Sequence, residues 1–392
     1  MRQRDIPQDT HTLTFTLKAC THHLHSLPLG QTIHTQVVKT GLGSLAPHVH
    51  SALVHMYARF GLITFASKVF DEMPMKSPVA WSVMISAYAW CGELGSCWGL
   101  FNNMPQRDVA SWNAMISACL RCRQPGEALR VFRGMEDAGF SPNRITLLAA
   151  LSACGEAGDL ELGQWIHSHY VNNGMYEFNS MRVKTALIDM YSKCGHIDLA
   201  MDVFDGIEGK DTCAWTAIIC GMAVDGQGDK ALALFDAMEK AKVRPDEVTF
   251  IAVLCACSHA GLVKEGRQYF KSMMEDYGLV PKIEHYGCMV MIMGRAGYLQ
   301  EARWLIETMP REPNAVVWRS LLGVCSMHGA TEMAEWAAKQ LEGVERGRDD
   351  DSFVMLSNVY AEDGRWSDVE RVRMLMKEMG RKKRWGCSSV HV

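Results

Sequence analysis

Hydrophobic positions recur along this chain at helical spacing. Between residues 109 and 143, Trp112, Met115, Ile116 and Cys119 fall at i, i+3, i+4 and i+7, one apolar face of a helix. Pro125 and Gly126 are read as the interruption. Ala128, Phe132 and Met135 give a second apolar stripe, and Gly139 and Pro142 are the stop signals. Elsewhere the closure is Met73-Pro74, Met104-Pro105, Met309-Pro310 or Arg244-Pro245-Asp246. The whole arrangement repeats. Trp81, Trp112, Trp215 and Trp318 open the similar segments WSVMISAYA, WNAMISACL, WTAIICGMA and WRSLLGVCS, spaced 31, 103 and 103 residues apart. GEALRVFRGM and DKALALFDAM share a register 103 residues apart.

These spacings fit one partition into repeats at 10–46, 47–77, 78–108, 109–143, 144–180, 181–211, 212–246, 247–282 and 283–314, of 31 to 37 residues each. Each repeat predicts two helices. A single helix pair cannot bury its own apolar stripe, but a stack of pairs makes a continuous core. The expected fold is therefore all-α, a right-handed α-solenoid superhelix of helix-turn-helix repeats.

Composition narrows the picture. The 392 residues are 48% hydrophobic and 21% charged, which is globular chemistry rather than disorder. No run approaches the 18 consecutive apolar residues of a membrane span. A net charge of -4 excludes a polyanion binder that works by bulk electrostatics, though not a reader of exposed bases. The 14 Cys are scattered, and Cys20, Cys154 and Cys257 each follow an Ala in one register. They read as small apolar packing residues in a reducing compartment. The 26 Met read as adaptable filler between helices. The start, MRQRDIPQD, carries Asp5 and Asp9 and no apolar stretch, so it matches neither a signal peptide nor a transit peptide.

A zinc deaminase needs H-x-E and P-C-x-x-C. None of the 15 His is followed two residues later by Glu, and the only C-x-x-C is Cys119-Cys122, inside a helical repeat. The clusters His22/His23/His25, His48/His50 and His167/His169 read as residues at helix starts or on exposed faces. No phosphate loop or nucleophile elbow is present. The chain by itself is expected to catalyse nothing and to hold no metal or cofactor.

The segments VASWNAMISA, TALIDMYSKCGHIDLAMDVFD, KALALFDAMEKAKVRPDEVTF and IEHYGCMVMIMGRAGYLQEARWLIETMP resemble the pentatricopeptide repeats of plants, in the subclass with mixed long, short and standard units. The 34-residue tetratricopeptide pattern W-x2-L-G-x2-Y is absent. The segment from AVVWRSLLGVCSMHGATEMAEWAAKQL through SFVMLSNVYAEDGRWSDVERVRMLMKEMGRKKR resembles the two degenerate repeats called the E extension. The last residues, RWGCSSVHV, are similar to the junction PGCSW that in the family precedes a deaminase-like domain; Trp385 and Ser389 depart from it. The resemblance thus divides the chain into a short segment at 1–9, nine repeats at 10–314, an E-type extension at 315–382 and a truncated tail at 383–392.

The resemblance implies single-stranded RNA as partner, read one base per repeat by the fifth and last residues. In chain order these pairs are Thr14/Ala46, Ser51/Ser77, Ser82/Asp108, Asn113/Asn143, Leu148/Ser180, Thr185/Asp211, Thr216/Asp246, Ile251/Lys282 and Gly287/Asn314. Asp only accepts hydrogen bonds, whereas Asn donates and accepts. The implied target reads two unassigned bases, G, a pyrimidine, one unassigned, G, G and two unassigned. Val79, Ile145 and Val248 stand at second places, where an apolar residue sandwiches a base or packs between repeats. The extension implies a site-recognition factor for C-to-U RNA editing in mitochondrion or chloroplast, with a deaminase-domain PPR protein or editing co-factors engaged through 315–382. The alternatives are an RNA stabilisation, splicing or translation factor, a protein-binding helical scaffold, and a truncated, non-functional copy.

Overall fold

The computed structural model describes residues 9–22, 26–40, 47–172, 179–345 and 351–378, all of it helix, turn or coil. The chain divides into two compact halves, Met1–His196 and Ile197–Val392. In the first half the helices are α1 (Thr10–His22), α2 (Leu27–Thr40), α3 (Pro47–Arg59), α4 (Ile63–Asp71), α5 (Pro78–Trp90), α6 (Leu94–Asn103), α7 (Val109–Arg121), α8 (Pro125–Asp137), α9 (Arg144–Ala157), α10 (Leu160–Ile166) and α11 (Met181–Lys193). A π-helical turn, His167–Asn172, continues α10. The second half holds α12 (Ile197–Asp205), α13 (Thr212–Val224), α14 (Gly228–Lys240), α15 (Glu247–Ala260), α16 (Val263–Glu275), α17 (Ile283–Arg295), α18 (Leu299–Thr308), α19 (Ala315–Met327), α20 (Thr331–Glu345), α21 (Asp351–Glu362) and α22 (Trp366–Glu378).

Both halves are solenoids of helix pairs. In the first half each first helix packs on the next: α1 on α3, then α5, α7, α9 and α11. In the second half α13, α15, α17, α19 and α21 do the same. Within each half a second helix packs on its own first helix and on the following one, as α8 does on α7 and α9 and α14 on α13 and α15. First helices therefore form one layer and second helices the other. First helices begin at Thr10, Pro47, Pro78, Val109, Arg144, Met181, Thr212, Glu247 and Ile283, the first residues of the nine repeats.

The apolar stripes fill the space between layers. Trp112, Met115, Ile116, Cys119, Ala128, Phe132 and Met135 are all buried, and each large side chain so placed stabilises by about 1.5–3 kcal/mol. Cys20, Cys154 and Cys257 are fully buried packing residues. Burial pushes the Cys154 and Cys257 thiols up to about 12.

Two expectations are corrected. Pro125 does not interrupt a helix; it is the first residue of α8, where its missing N–H is not needed. The break falls at Cys122–Gln124, with Arg123 left-handed at φ 56. His167 is not on an open face: its Nδ1 lies 2.9 Å from Tyr191 Oη on α11, and burial lowers its pKa. His23 and His25 lie outside the described residues. Among the described residues no helix is long and apolar enough to cross a membrane.

Candidate nucleic-acid interface

Among the described residues, the last residue of a repeat turns out to be the N-cap of the next first helix. Asp108, Asn143, Asp211, Asp246 and Asn314 each accept a backbone N–H three residues on through Oδ1, at 2.8, 3.0, 2.9, 2.9 and 3.2 Å. Ser77 accepts from the Ala80 N–H at 3.2 Å. This satisfies an orphan donor of the helix start. It also commits Oδ1 of the side chain to the cap and leaves the second terminal atom, Oδ2 of Asp or Nδ2 of Asn, outside that bond. Ser180 caps without a side-chain bond. Lys282 pairs instead with Glu247.

Three fifth residues reach these caps, directly or through a neighbour. Ser51 Oγ is 3.2 Å from Ser77 Oγ. Asn113 Nδ2 donates to Asn143 Oδ1 at 3.2 Å. Thr216 reaches its cap through a third residue: its hydroxyl is 2.7 Å from Thr249 Oγ1, which donates to Asp246 Oδ1 at 2.9 Å. Thr146 plays the same part between Asn113 and Asn143, at 2.7 and 3.0 Å. Ser82 and Thr185 instead donate to carbonyls of their own helices, Pro78 at 3.0 Å and Met181 at 3.0 Å. Thr185 belongs to the first half and Asp211 to the second. Of the remaining pairs, Thr14 donates to Thr10, Ala46 lies outside the described residues, and Leu148 and Ile251 are half-buried.

Asn113 and Thr216 are more covered than an open tip would be, at 8% and 9% exposure. Asp246 and Asp211 are exposed, and Ser51, Ser77, Ser82, Asp108, Asn143, Thr185 and Asn314 are half-buried. The second-place residues stand clear of the surface: Val79, Ile145 and Val248 are 63%, 61% and 57% exposed. Packing between repeats therefore does not explain these three. His11 and His48 hold second places as well, and their rings stack with centroids 5.5 Å apart.

Two neighbouring clefts in the first half gather these positions. One, of about 580 Å³, is lined by Thr14, Lys18, His48, Ser51, Ser77 and Val79. The next, of about 370 Å³, is lined by His55, Val79, Ser82, Trp90, Asp108 and Ala110. Each contains a fifth residue, the last residue of that repeat and second-place residues on either side, with Val79 shared. Trp90 is 41% exposed, and the Arg59 and Arg121 guanidinium carbons lie 5.3 and 5.7 Å from its ring centroid. An exposed aromatic face thus lies within cation–π range of two guanidinium groups.

Thr146, Thr249 and Trp90 stand outside the fifth, last and second places. The two threonines were visible as capping-box patterns, N-R-I-T at 143–146 and D-E-V-T at 246–249. Trp90 had no such signal. Among the described residues no three His, Cys, Asp or Glu side chains come together as a metal would require.

The PPR repeat model matches residues 48–77, 79–109, 183–211, 248–277 and 284–313, and the PPR repeat family model matches 107–156 and 210–259. The E motif model matches 328–391, starting later than the expected extension at 315–382 and running past it. Two similar relatives are pentatricopeptide repeat-containing proteins of Arabidopsis thaliana. At5g15300 is 43% identical over 425 residues, covering 100% of this chain and 77% of the relative. At1g59720, chloroplastic/mitochondrial, is 38% identical over 394 residues, covering 98% and 56%. The chain spans about half the length of several such relatives. Among solved structures, pentatricopeptide repeat protein PPR10 in complex with an 18-nt psaJ RNA element matches with a TM-score of 0.68 at 16% identity, covering 97% of this chain and 57% of that one. That likeness is one of fold.

Proposed function

Because the chain belongs to the pentatricopeptide repeat family, we propose that it binds single-stranded RNA and reads one base per repeat through the cleft residues described above. The observation that carries this is the pair of clefts in the first half, where fifth, last and second-place side chains converge on one surface. A base entering such a cleft slides between exposed apolar or aromatic side chains and meets a hydrogen-bonding floor. That PPR10, a protein of this fold, was solved in complex with an 18-nt psaJ RNA element supports the reading. The readers are Ser51/Ser77, Ser82/Asp108, Asn113/Asn143, Thr185/Asp211 and Thr216/Asp246, with Asn314 as the cap of a repeat whose fifth residue is Gly287. Val79, Ile145 and Val248 sandwich bases. The proposed target carries G at the third, sixth and seventh bases and a pyrimidine at the fourth.

The chain supplies recognition rather than catalysis. The E motif match and the organellar labels of relatives support a site-recognition factor for organellar C-to-U editing, with the deaminase supplied by a partner on the C-terminal helix pairs. Gel shifts with nine-base RNAs varied one base at a time test the binding. Binding indifferent to all nine positions refutes base reading. Sequencing organellar transcripts from a plant lacking the gene tests the rest: one cytidine losing conversion supports editing, whereas altered transcript ends or levels alone support stabilisation or splicing.

A further inference from the structure

We propose that the buried third-place threonines, Thr249 and Thr146, are positioning residues that set which hydrogen-bonding polarity the base readers present. This rests on the base reading proposed above and adds the origin of its specificity. A hydroxyl has one proton and two lone pairs. The Thr249 hydroxyl donates to Asp246 Oδ1 at 2.9 Å, a charged and therefore preferred acceptor. Its oxygen accepts the Asp246 N–H at 3.2 Å. The Thr216 hydroxyl lies 2.7 Å from that same oxygen. Since the Thr249 proton is committed, Thr216 supplies the proton of their contact. Thr216 then offers an incoming base lone pairs only.

Asp246 is constrained in the same way. Its Oδ1 already accepts the Thr249 N–H and O–H, so Oδ2 is what remains for a ligand. The pair becomes an edge of two acceptors. Guanine presents two adjacent donors, N1–H and the N2 amino group, on its Watson–Crick edge. Uracil presents one donor between two acceptors, and adenine and cytosine one amino donor beside an acceptor. Guanine alone complements the pair fully.

At the fourth base the polarity reverses by the same device. Thr146 donates to Asn113 Oδ1 at 2.7 Å, with Asn143 Oδ1 at 3.0 Å as its alternate acceptor. Asn143 Oδ1 also accepts the Thr146 N–H at 3.0 Å. Both amide oxygens are thus turned toward Thr146, and what Asn143 has left for a ligand is Nδ2, a donor. A donor there suits the carbonyl O2 of a pyrimidine. Thr146 and Thr249 are both fully buried, so neither touches the base; each acts through its neighbours.

The test uses the full chain and two sets of four nine-base RNAs, differing only at base seven or only at base four. Wild type should prefer G at base seven. Thr249→Val removes the proton acceptor and should lower the ratio of G affinity to the next-best base roughly tenfold, equivalent to about 1.4 kcal/mol, while preferences at the other bases stay put. Thr249→Ser should restore the ratio. A Thr249→Val protein with undiminished G preference overturns the proposal. If that variant does not fold, Thr146→Val carries the decision at base four: lost pyrimidine preference supports it, and unchanged preference overturns it. Wild-type protein with no preference at either base sinks base reading itself and this inference with it. Wild-type preference that both variants retain sinks only the positioning role.

Discussion

At the scale of the residue, the last position of each repeat serves two masters. Asp246 caps α15 with Oδ1 and, as proposed, reads a base with Oδ2. The roles separate on substitution. Asp246→Asn keeps a good cap, so thermal unfolding should move by no more than about 0.5 kcal/mol, yet it replaces an acceptor by a donor and should abolish the G preference at base seven in a gel shift. Asp246→Ala loses the cap as well and should destabilise by about 1 kcal/mol. Retained G preference in Asp246→Asn would refute the assignment. The cysteines give a second residue-scale expectation. Desolvation raises Cys154, Cys257 and Cys325 from 9.0 to about 12. A group that holds its proton more tightly when folded stabilises fully below its unfolded pKa, and that stability is lost as pH rises from about 9 toward 12. At pH 8 these three should resist a thiol reagent in native protein, while exposed Cys91 and Cys213 react.

At the scale of the element, the helix pairs are fixed by turns and by a recurring cation. The turn between paired helices needs a left-handed residue, and Gly92, Gly226 and Gly297 supply it at φ 77, 81 and 83. Arg123 holds φ 56 in the equivalent turn. Arg123→Gly should relieve strain and raise stability by about 0.5–1 kcal/mol, read as a higher Tm. The penultimate residues Lys76, Arg107 and Lys210 fold back over Phe70, Phe101 and Phe204 at 5.3, 4.6 and 4.9 Å. Those rings meet Trp81, Trp112 and Trp215 edge to face at 4.9, 4.8 and 4.9 Å. Each cation also bonds a carbonyl near the end of the preceding helix, as Arg107 Nε does to Phe101 O at 3.2 Å. Arg107→Ala should therefore destabilise by about 1 kcal/mol, with Arg107→Lys recovering most of it; an unchanged Tm would refute the clamp.

At the scale of the whole molecule, a net charge of -4 requires that phosphate attraction be local. RNA affinity should fall with salt at a shallow slope, set by few phosphate contacts such as those Arg59 and Arg121 can make. Trp90→Ala should weaken binding by about 1–3 kcal/mol whatever the base, which filter binding at fixed salt would measure. Modularity gives the converse gain of function. Gly287 is the fifth residue of its repeat, a Cβ built there meets nothing within 4 Å, and Asn314 caps the next helix. Gly287→Asn should create a pyrimidine preference at base nine and leave bases three to seven as they were.

The all-α helix-pair repeats and the start of each first helix were legible in the amino-acid order, because a stripe of period 3.6 and stop signals such as Gly139 and Pro142 are local chemistry. The sequence also marked Asp246, Asn143 and their counterparts as special. It misplaced the start of α8, since Pro suits a helix start as well as a break, and it took His167 for an exposed residue because its partner, Tyr191, lies on another repeat. The packing of one first helix on the next was decided only in three dimensions. That packing put Thr249 against Thr216 and Thr146 against Asn113, it left Val79, Ile145 and Val248 uncovered, and it set Trp90 between two arginines. Hydrogen-bond direction belongs to that second group: a proton's destination depends on every acceptor within 3 Å, and two of the four such contacts of Thr146 and Thr249 reach residues 33 positions away.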